Sequence, residues 1–184
     1  LRFMDNHGLL AAAGQPQWRT ILGGSRTYVS ALAARLGTGV RAGTPVREVT
    51  RHDHGVSVAT ADGTVSEHDA VVVATHADQA LAMLADASAR ERDALRRFRY
   101  SANDTCLHSD HRFLPAEPYA QASWNCDLAD CRDPHSPISV TYDLNRLQGH
   151  RPGRALLCTL NPIEPVAGDP MARLTYTHPI LDAA

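Results

Sequence analysis

One stretch decides the fold class of this chain: TPVREVTRHDHGVSVATADGTVSEHDAVVVATHAD, residues 44–78. It opens on a strand from Val46, turns at residues 52–55, and continues over residues 56–60 with apolar side chains that alternate with smaller or polar ones. The Asp62-Gly63 pair then predicts a tight turn into a short third strand. Such alternation is typical of antiparallel strands that bury one face. The stretch therefore predicts three antiparallel strands joined by two tight turns, called here the hairpin.

The run AVVVA at residues 70–74 has a different pattern, because it is apolar at every position. Continuous apolar sequence is typical of a strand that is buried on both faces inside a parallel sheet covered by helices. Its carboxyl end, Thr75-His76, would lie at the edge where open α/β sheets bind their ligands. Asp78 is in position to cap a following helix. An ordinary buried strand and helix without a ligand explains the periodicity equally well.

The rest of the chain divides into two regions. From Gly23 to about residue 99 it alternates helical and strand-like patterns: Gly37 ends a helix, and Ser88 and Glu91 have the spacing of a capping box. Four short β-like runs follow, at residues 105–108, 120–125, 138–142 and 155–160. We expect a mixed α/β (α+β) fold in which residues 1–99 form one domain and residues 100–184 form a second domain with an antiparallel sheet.

Composition excludes several classes of function. Of the 184 residues, 43% are hydrophobic and 21% are charged, and the formal net charge is −2, so neither disorder nor a nucleic-acid-binding surface is indicated. The apolar runs are far shorter than the roughly 18 residues that span a bilayer, and we expect a cytoplasmic protein without a membrane span. The four cysteines and ten histidines match no metal-binding motif, which predicts reduced core cysteines and no metal site.

A glycine pair in front of the first helix adds more specific evidence. In residues 18–29, WRTILGGSRTYV, Gly23 and Gly24 permit a tight turn and close approach of the backbone to another group. This turn, the Pro45-Val46 pair, the hairpin and DAVVVAT occur in an order that resembles the interior of an FAD-dependent amine oxidase or phytoene-desaturase-like flavoprotein. The motifs NHGLL, ATHADQA and ASWN, which start at residues 6, 74 and 122, are similar to a bacterial branch of NAD/FAD-binding proteins.

The resemblance implies the second half of a Rossmann-like FAD-binding domain, followed by part of an antiparallel substrate domain. The residues implied to contact the cofactor are Val46, Gly23, Gly24, Ala74, Thr75 and His76. Among them, Val46 would hold the adenine edge of FAD through its backbone N–H and C=O. The residues implied to line the substrate cavity are Asn6, His7, Trp18, Arg26, Thr27, Trp124 and Asn125. Arg26 can bind a substrate carboxylate with two hydrogen bonds.

The chain departs from the family's pattern in two ways. It has no Gly-x-Gly-x-x-Gly turn that leads into a pyrophosphate-binding helix, and Gly37-Thr38-Gly39 ends a helix instead of beginning one. It also lacks the family's C-terminal glycine-rich segment, which closes over the flavin. We therefore expect an interior fragment of a larger flavoprotein. By itself it should be inactive and should bind FAD weakly or not at all.

For the larger protein, the resemblance implies flavin-mediated removal of hydride from a C–N or C–C bond of a small-molecule substrate. Two other classes stay open. One is a non-catalytic interaction or oligomerisation module, in which the β-rich residues 100–184 pair through exposed strand edges into a homo-oligomer. The other is a different α/β enzyme, such as a methyltransferase, although the glycine-rich loop that such an enzyme needs is missing from the sequence.

Overall fold

The structure, a computed structural model, describes residues 13–14, 17, 19–133, 136–149 and 153–180. The chain forms two compact units, Leu1–Gly43 and Thr44–Ala184, called here the first unit and the second unit. The predicted boundary near residue 99 falls inside the second unit, between its two sheets. The division into domains at residues 1–99 and 100–184 stays a prediction. In the described part of the chain, no helix is long and apolar enough to cross a membrane.

The first unit contains helix α1, Arg26–Leu36, and this confirms the helix predicted before Gly37. Gly37 follows it with a φ of 53°, a left-handed conformation that glycine adopts easily, and its N–H donates to the Ala33 carbonyl. The apolar side of α1 is open within the described residues, where the Leu32 side chain is 54% exposed. Helices in proteins gain most of their stability by packing such a side against other residues. The described residues supply no such packing for the apolar side of α1.

The second unit begins with the predicted hairpin. Its strands are β1 (Val46–His52), β2 (Gly55–Thr60) and β3 (Val65–His68), which pair antiparallel in the order β1-β2-β3. Both predicted turns are confirmed. In the second turn, the Asp62 carboxylate accepts hydrogen bonds from the Thr60 hydroxyl at 2.6 Å and from the Thr64 N–H at 3.0 Å. One aspartate side chain therefore closes the turn that the Asp-Gly pair predicts.

Two helices follow the hairpin, α2 (Ala77–Met83) and α3 (Ala89–Arg96). The predicted capping box at the start of α3 is confirmed. The Glu91 N–H donates to the Ser88 hydroxyl at 3.2 Å, and the Ser88 N–H donates to the Glu91 carboxylate at 2.8 Å. These two bonds satisfy backbone donors that a helix start leaves open, so the local sequence alone is enough to begin α3.

The segment between α2 and α3 is fastened to β1 by backbone and side-chain contacts. The Ala85 N–H donates to the Val49 carbonyl at 3.1 Å. Arg51 of β1 forms ion pairs with Asp86 at 2.8 Å and with Glu91 at 2.6 Å. Hydrogen bonds from the Arg51 guanidinium hold the pKa values of both carboxyls below their usual range. One arginine thus joins the hairpin to the start of α3.

Residues 70–74 do not form the predicted buried strand. They have no regular secondary structure, and Val72 is 90% exposed. The physical reason is the lack of partners: the described strands pair into two antiparallel sheets, and none of them offers a parallel neighbour to this apolar run. The prediction is therefore wrong for the described chain. The predicted cap of the next helix is also wrong, because His76 is the N-cap of α2 and Asp78 lies inside its first turn.

The larger sheet of the second unit has five strands in the order β5-β6-β7-β4-β8, and all pairs are antiparallel. The strands are β4 (Tyr100–His108), β5 (Trp124–Leu128), β6 (Ile138–Asp143), β7 (Leu157–Leu160) and β8 (Ala172–Pro179). A short helix, α4 (Leu144–Gln148), follows β6. The antiparallel sheet predicted over residues 105–160 is confirmed, and β8 extends it beyond the prediction.

The two faces of this sheet differ in chemistry. The polar face carries Thr141, Thr159 and Cys106 in register across β6, β7 and β4, and all three side chains are buried. The apolar face carries Trp124 and Tyr142 in register across β5 and β6, and Trp124 is 50% exposed. The hydroxyl groups of Thr141 and Thr159 are thus buried on one face, while Trp124 is half-exposed on the other. The polar face must satisfy its hydrogen bonds internally.

The four cysteines are free thiols in different environments. Cys106 is buried and Cys158 is half-buried, in agreement with the predicted reduced core cysteines. Cys126 and Cys131 are exposed, so the prediction of core positions is wrong for these two. The reason is topological: β5, which carries Cys126, is an edge strand of the larger sheet, and Cys131 lies in the turn beyond it.

We expect Arg51→Met to make the stability of the folded chain depend less on pH in the acid range. Arg51 lowers the pKa of Glu91 and of Asp86 from their ordinary values of 4.5 and 3.8. A lowered carboxyl pKa stabilises the folded chain above the ordinary value, and that contribution is lost as the pH falls through the folded pKa. Thermal unfolding midpoints, measured from neutral pH downwards, should therefore fall less steeply below pH 4.5 in the variant.

Arg47→Met is the matched control for this measurement. Arg47 is exposed on the same strand and takes part in none of the ion pairs between described residues. Added salt should reduce the difference between Arg51→Met and the unmodified chain, because exposed ion pairs are screened. The role assigned to Arg51 would be contradicted if Arg51→Met left the dependence of the unfolding midpoint on acid pH unchanged. It would also be contradicted if Arg47→Met reduced that dependence by the same amount.

Candidate functional site

The predicted site residues are distributed over both units, and each unit is described by itself. The first unit contains Gly23, Gly24, Arg26 and Thr27, and the second contains Val46, Ala74, Thr75, His76, Trp124 and Asn125. The predicted residues Asn6, His7 and Trp18 lie outside the described part of the chain.

Gly23 and Gly24 form a tight turn directly before α1. Both have a positive φ, 80° and 76°, which favours glycine. The Gly24 N–H donates to the Ile21 carbonyl at 2.9 Å, and the Thr27 hydroxyl donates to the Gly24 carbonyl at 2.9 Å. A Cβ on Gly23 would lie 2.9 Å from the Thr27 methyl group, whereas the space beside Gly24 is open. The space at the Cβ position of Gly24 is therefore open, while its N–H and C=O are bonded within the turn, and Arg26 is exposed in the next turn.

Val46 lies at the start of an edge strand with its backbone groups turned outwards. It pairs with Thr60 of β2, and the flanking hydrogen bond runs from the Ala61 N–H to the Pro45 carbonyl at 2.9 Å. In an antiparallel ladder, a pair flanked in this way does not exchange hydrogen bonds itself. The N–H and C=O of Val46 therefore point to the outer edge of β1, the edge on which the Val49 carbonyl accepts its bond from residue 85.

His76 is held by the larger sheet. Its ring stacks on Tyr100 of β4, with ring centroids 4.7 Å apart, and its Nδ1 lies 3.3 Å from the hydroxyl of Thr177 in β8. The Tyr100 hydroxyl accepts the Ala77 N–H at 2.7 Å, which satisfies a donor at the start of α2. These contacts give His76 a structural role that the sequence did not show. The neighbouring Thr75 is exposed.

Trp124 and Asn125 are neighbours on β5, but their side chains point to opposite faces of the sheet. Trp124 packs edge-to-face on Tyr142, with ring centroids 6.2 Å apart, on the apolar face. Asn125 is in register with Thr141 on the polar face, where its side chain donates to the Ala122 carbonyl at 2.8 Å and accepts the Ala122 N–H at 3.0 Å. Because alternate residues of a strand face opposite ways, the two side chains do not converge on one cavity.

A cavity of about 590 Å³ lies beside β5 and β6, and the sequence did not predict it. Its wall includes Asn125, Thr141, Asp127, Glu164 and Phe113. A volume of this size is typical of sites for small molecules. The sequence signal that could have pointed to it is the alternation of hydroxyl and apolar side chains along residues 138–142, which is typical of a strand with one polar, buried face.

Two titratable groups near the end of β4 have shifted pKa values. Burial lowers the pKa of His108. Arg112 pairs with Asp110 at 2.7 Å and holds the pKa of that carboxyl well below its usual range. The Asp110 carboxylate also accepts the Ala167 N–H at 2.8 Å, so it anchors the loop that precedes β8. Among the described residues, no three His, Cys, Asp or Glu side chains are arranged to hold a metal ion.

Comparison with known proteins relates the chain to flavoproteins. Residues 1–121 match the model of a family described as flavin-containing amine oxidoreductases. A search of curated protein sequences gives no match.

Solved structures share the fold at low sequence identity. A protein described as a protoporphyrinogen oxidase from Exiguobacterium sp. 255-15 matches with a TM-score of 0.54 and 16% identity, over 85% of this chain and 34% of that one. A conjugated-linoleic-acid-producing fatty acid isomerase from P. acnes matches with a TM-score of 0.50 and 16% identity, over 81% of this chain and 32% of that one. The chain thus spans about a third of the length of these structures.

Tyr100→Phe should loosen the start of α2. The variant keeps an aromatic ring to stack on His76 but removes the oxygen that accepts the Ala77 N–H. We expect the free energy of unfolding to fall by roughly 0.5–1.5 kcal/mol and hydrogen exchange at the Ala77 amide to accelerate. Tyr119→Phe is the control, because Tyr119 is 87% exposed. Equal effects of the two substitutions on exchange at Ala77 would contradict the assigned hydrogen bond.

Proposed function

The chain belongs to the flavin-containing amine oxidoreductase family, and on that premise we propose that it forms part of an FAD-dependent oxidoreductase. The reaction would remove hydride from a C–N or C–C bond of a small-molecule substrate. The observation that carries the proposal is the family match over residues 1–121. Because the chain spans about a third of the solved structures that it resembles, the activity of the whole protein is part of the proposal.

The outer edge of β1 supports an adenine contact at Val46. There the N–H and C=O of Val46 point away from β2, so they are available to a ligand. An adenine edge offers an acceptor beside a donor and so matches one backbone N–H beside one C=O. The contact would be made by backbone atoms, and the side chain at this position would contribute little to it.

The glycine turn of the first unit supports a second contact with the cofactor. The absence of a side chain at Gly24 leaves its backbone open to a flat ring system, and the neighbouring Arg26 is exposed. A bound flavin would supply the hydride-accepting group, and the residues of this chain would bind and orient the substrate and exclude water. Arg26 would bind a substrate carboxylate with two parallel hydrogen bonds, and Thr27 would lie beside it.

A non-catalytic interaction or oligomerisation module is the second candidate function. One observation favours it: apolar side chains are exposed on α1, at Val72 and on the apolar face of the larger sheet in the described chain. Large exposed apolar patches are typical of contacts with other proteins. Flavin absorbance distinguishes the two candidates, because a longer protein that serves only as an interaction module would be purified without the cofactor.

Val46→Pro should weaken FAD binding in a longer protein that contains this chain, whereas Val46→Ala should have little effect. Proline removes the N–H that would bind adenine, and we expect a loss of roughly 1–3 kcal/mol of cofactor affinity. Because this N–H is not bonded to β2, the substitution removes no hydrogen bond between β1 and β2. Flavin absorbance after gel filtration measures the occupancy. Full occupancy in a folded Val46→Pro protein would contradict the adenine contact.

The 184-residue chain alone should bind FAD more weakly than about 1 μM, which corresponds to roughly −8 kcal/mol. Two backbone hydrogen bonds to adenine contribute roughly 0.5–1.5 kcal/mol each. Association opposes them with an estimated cost of roughly 4–15 kcal/mol in lost translational and rotational freedom. Calorimetric titration of the purified chain with FAD measures the affinity. Stoichiometric binding at low micromolar concentration would show that the main cofactor contacts lie within this chain.

A further inference from the structure

The cavity beside β5 and β6 has the build of a site for a small molecule. It has a volume of about 590 Å³ and lies between these strands and the segments 112–115 and 163–164. Phe113, Leu128 and Ile163 give it an apolar wall. Sites for small molecules combine a volume of this order with apolar walls and a few fixed polar groups. The polar groups of the cavity therefore decide what it can bind.

Behind the cavity, a histidine fixes the direction of a buried hydrogen-bond chain. His108 is 1% exposed, and its Nδ1 accepts the Asp110 N–H at 3.1 Å. Nδ1 therefore carries no proton, and the proton of the neutral ring is on Nε2. Nε2 lies 2.7 Å from the Thr159 hydroxyl oxygen and donates to it. Burial lowers the pKa of His108, which favours this neutral ring.

The chain continues from Thr159 to Thr141, whose hydroxyl oxygens are 2.8 Å apart. One of the two hydroxyl protons lies between these oxygens, and the other has no acceptor among the described residues. Thr159 is fully buried, whereas Thr141 lines the cavity. Because an unsatisfied proton is costly in the interior, Thr159 donates to Thr141. Thr141, which is only 3% exposed, is left with one hydroxyl donor for a group in the cavity.

The charges on the wall favour a cation. Arg112 is compensated by its ion pair with Asp110 at 2.7 Å, and it also donates to the Pro165 carbonyl at 3.2 Å. Asp127 and Glu164 line the cavity too. Within the described chain neither carboxylate forms an ion pair, but Glu164 is close enough to Arg112 to add to the rise that Asp110 causes in the pKa of its guanidinium. Arg112 therefore faces the carboxylates of both Asp110 and Glu164, and Asp127 adds a further negative charge. The resulting excess of negative charge attracts a cation and repels an anion.

We propose that this cavity binds a small organic monocation that carries an oxygen acceptor on an apolar body. The cationic end lies near Asp127 and Glu164, the body packs on Phe113, and the oxygen accepts the hydrogen bond of the Thr141 hydroxyl. The site consists of described residues of the second unit. It does not rest on the proposed flavin chemistry, so the loss of either proposal leaves the other in place.

4-Hydroxybenzamidine is the probe for a direct test, because it joins an amidinium cation, an aromatic ring and a phenol oxygen. 4-Hydroxybenzamide and 4-hydroxybenzoate have nearly the same shape but are neutral and anionic. The purified 184-residue chain is titrated with each compound, and binding is followed by amide NMR shifts. We expect saturable binding of the amidine with a Kd of about 1 mM, about 5-fold tighter than the amide, and the weakest binding for the benzoate.

Absence of saturation by about 10 mM amidine overturns the proposal. Equal or tighter binding of the amide or the benzoate also overturns it, because the carboxylates would then contribute nothing.

Variants of Thr141 and Asp127 locate the binding within the cavity. Thr141→Val removes the donor at nearly constant volume and should weaken binding of the amidine about 5-fold, and Thr141→Ser should restore it. Thr105→Val is the matched control, because Thr105 is a buried threonine of the same sheet on the apolar face. Asp127→Asn should reduce the preference for the amidine over the amide, because one of the two carboxylates at the cationic end is neutralised.

Asp127 is exposed on an edge strand, so Asp127→Asn gives a decisive result even where Thr141→Val fails to fold. A preference that Asp127→Asn leaves unchanged overturns the proposal. A folded Thr141→Val chain that binds the amidine with unchanged affinity does so as well.

Discussion

The pairing of β4 along both of its edges is the constraint on which the second unit depends. This strand bonds to β7 on one side and to β8 on the other, and it thereby fixes their register. At its start, Tyr100 holds the His76 ring and the first N–H of α2. At its end, His108 sets the direction of the buried hydroxyl chain. One strand therefore positions both a residue implied in dinucleotide binding and the back of the cavity.

Under the proposed function, the described chain would contact a flavin through backbone groups. Val46 has an N–H and a C=O on the open edge of β1, and the space at the Cβ position of Gly24 is open in a tight turn. Neither feature needs a reactive side chain. This agrees with the division of labour in flavin enzymes, where the cofactor carries the redox chemistry and the protein supplies binding, orientation and exclusion of water.

The larger sheet buries two hydrogen-bonded threonines, Thr141 and Thr159, on one face and carries the half-exposed Trp124 on the other. Burial of Thr159 and Thr141 is tolerated because each oxygen is in a hydrogen bond that leads back to His108. The same chain fixes which hydroxyl keeps a spare donor, since Thr141 borders the cavity and Thr159 is fully buried. The opposite face carries large apolar side chains, among which Trp124 packs on Tyr142 and is still 50% exposed. Its chemistry suits contact with further protein or with a ligand.

The sequence by itself determined the elements whose causes are local. The Asp62-Gly63 turn and the Ser88 and Glu91 capping box depend on contacts within about four residues, so a linear pattern is enough to identify them. The family resemblance was also available from motifs in order along the chain, and the match over residues 1–121 agrees with it.

Only the tertiary structure decided the environment of residues 70–74. A continuous apolar pattern shows which surroundings a segment suits, but the partners that would bury it are remote in sequence. The same holds for the stack of His76 on Tyr100 and for the path from His108 to Thr141, which joins three strands. These features depend on strand order and register. Both are set by pairing between distant segments, and no local pattern of residues encodes them.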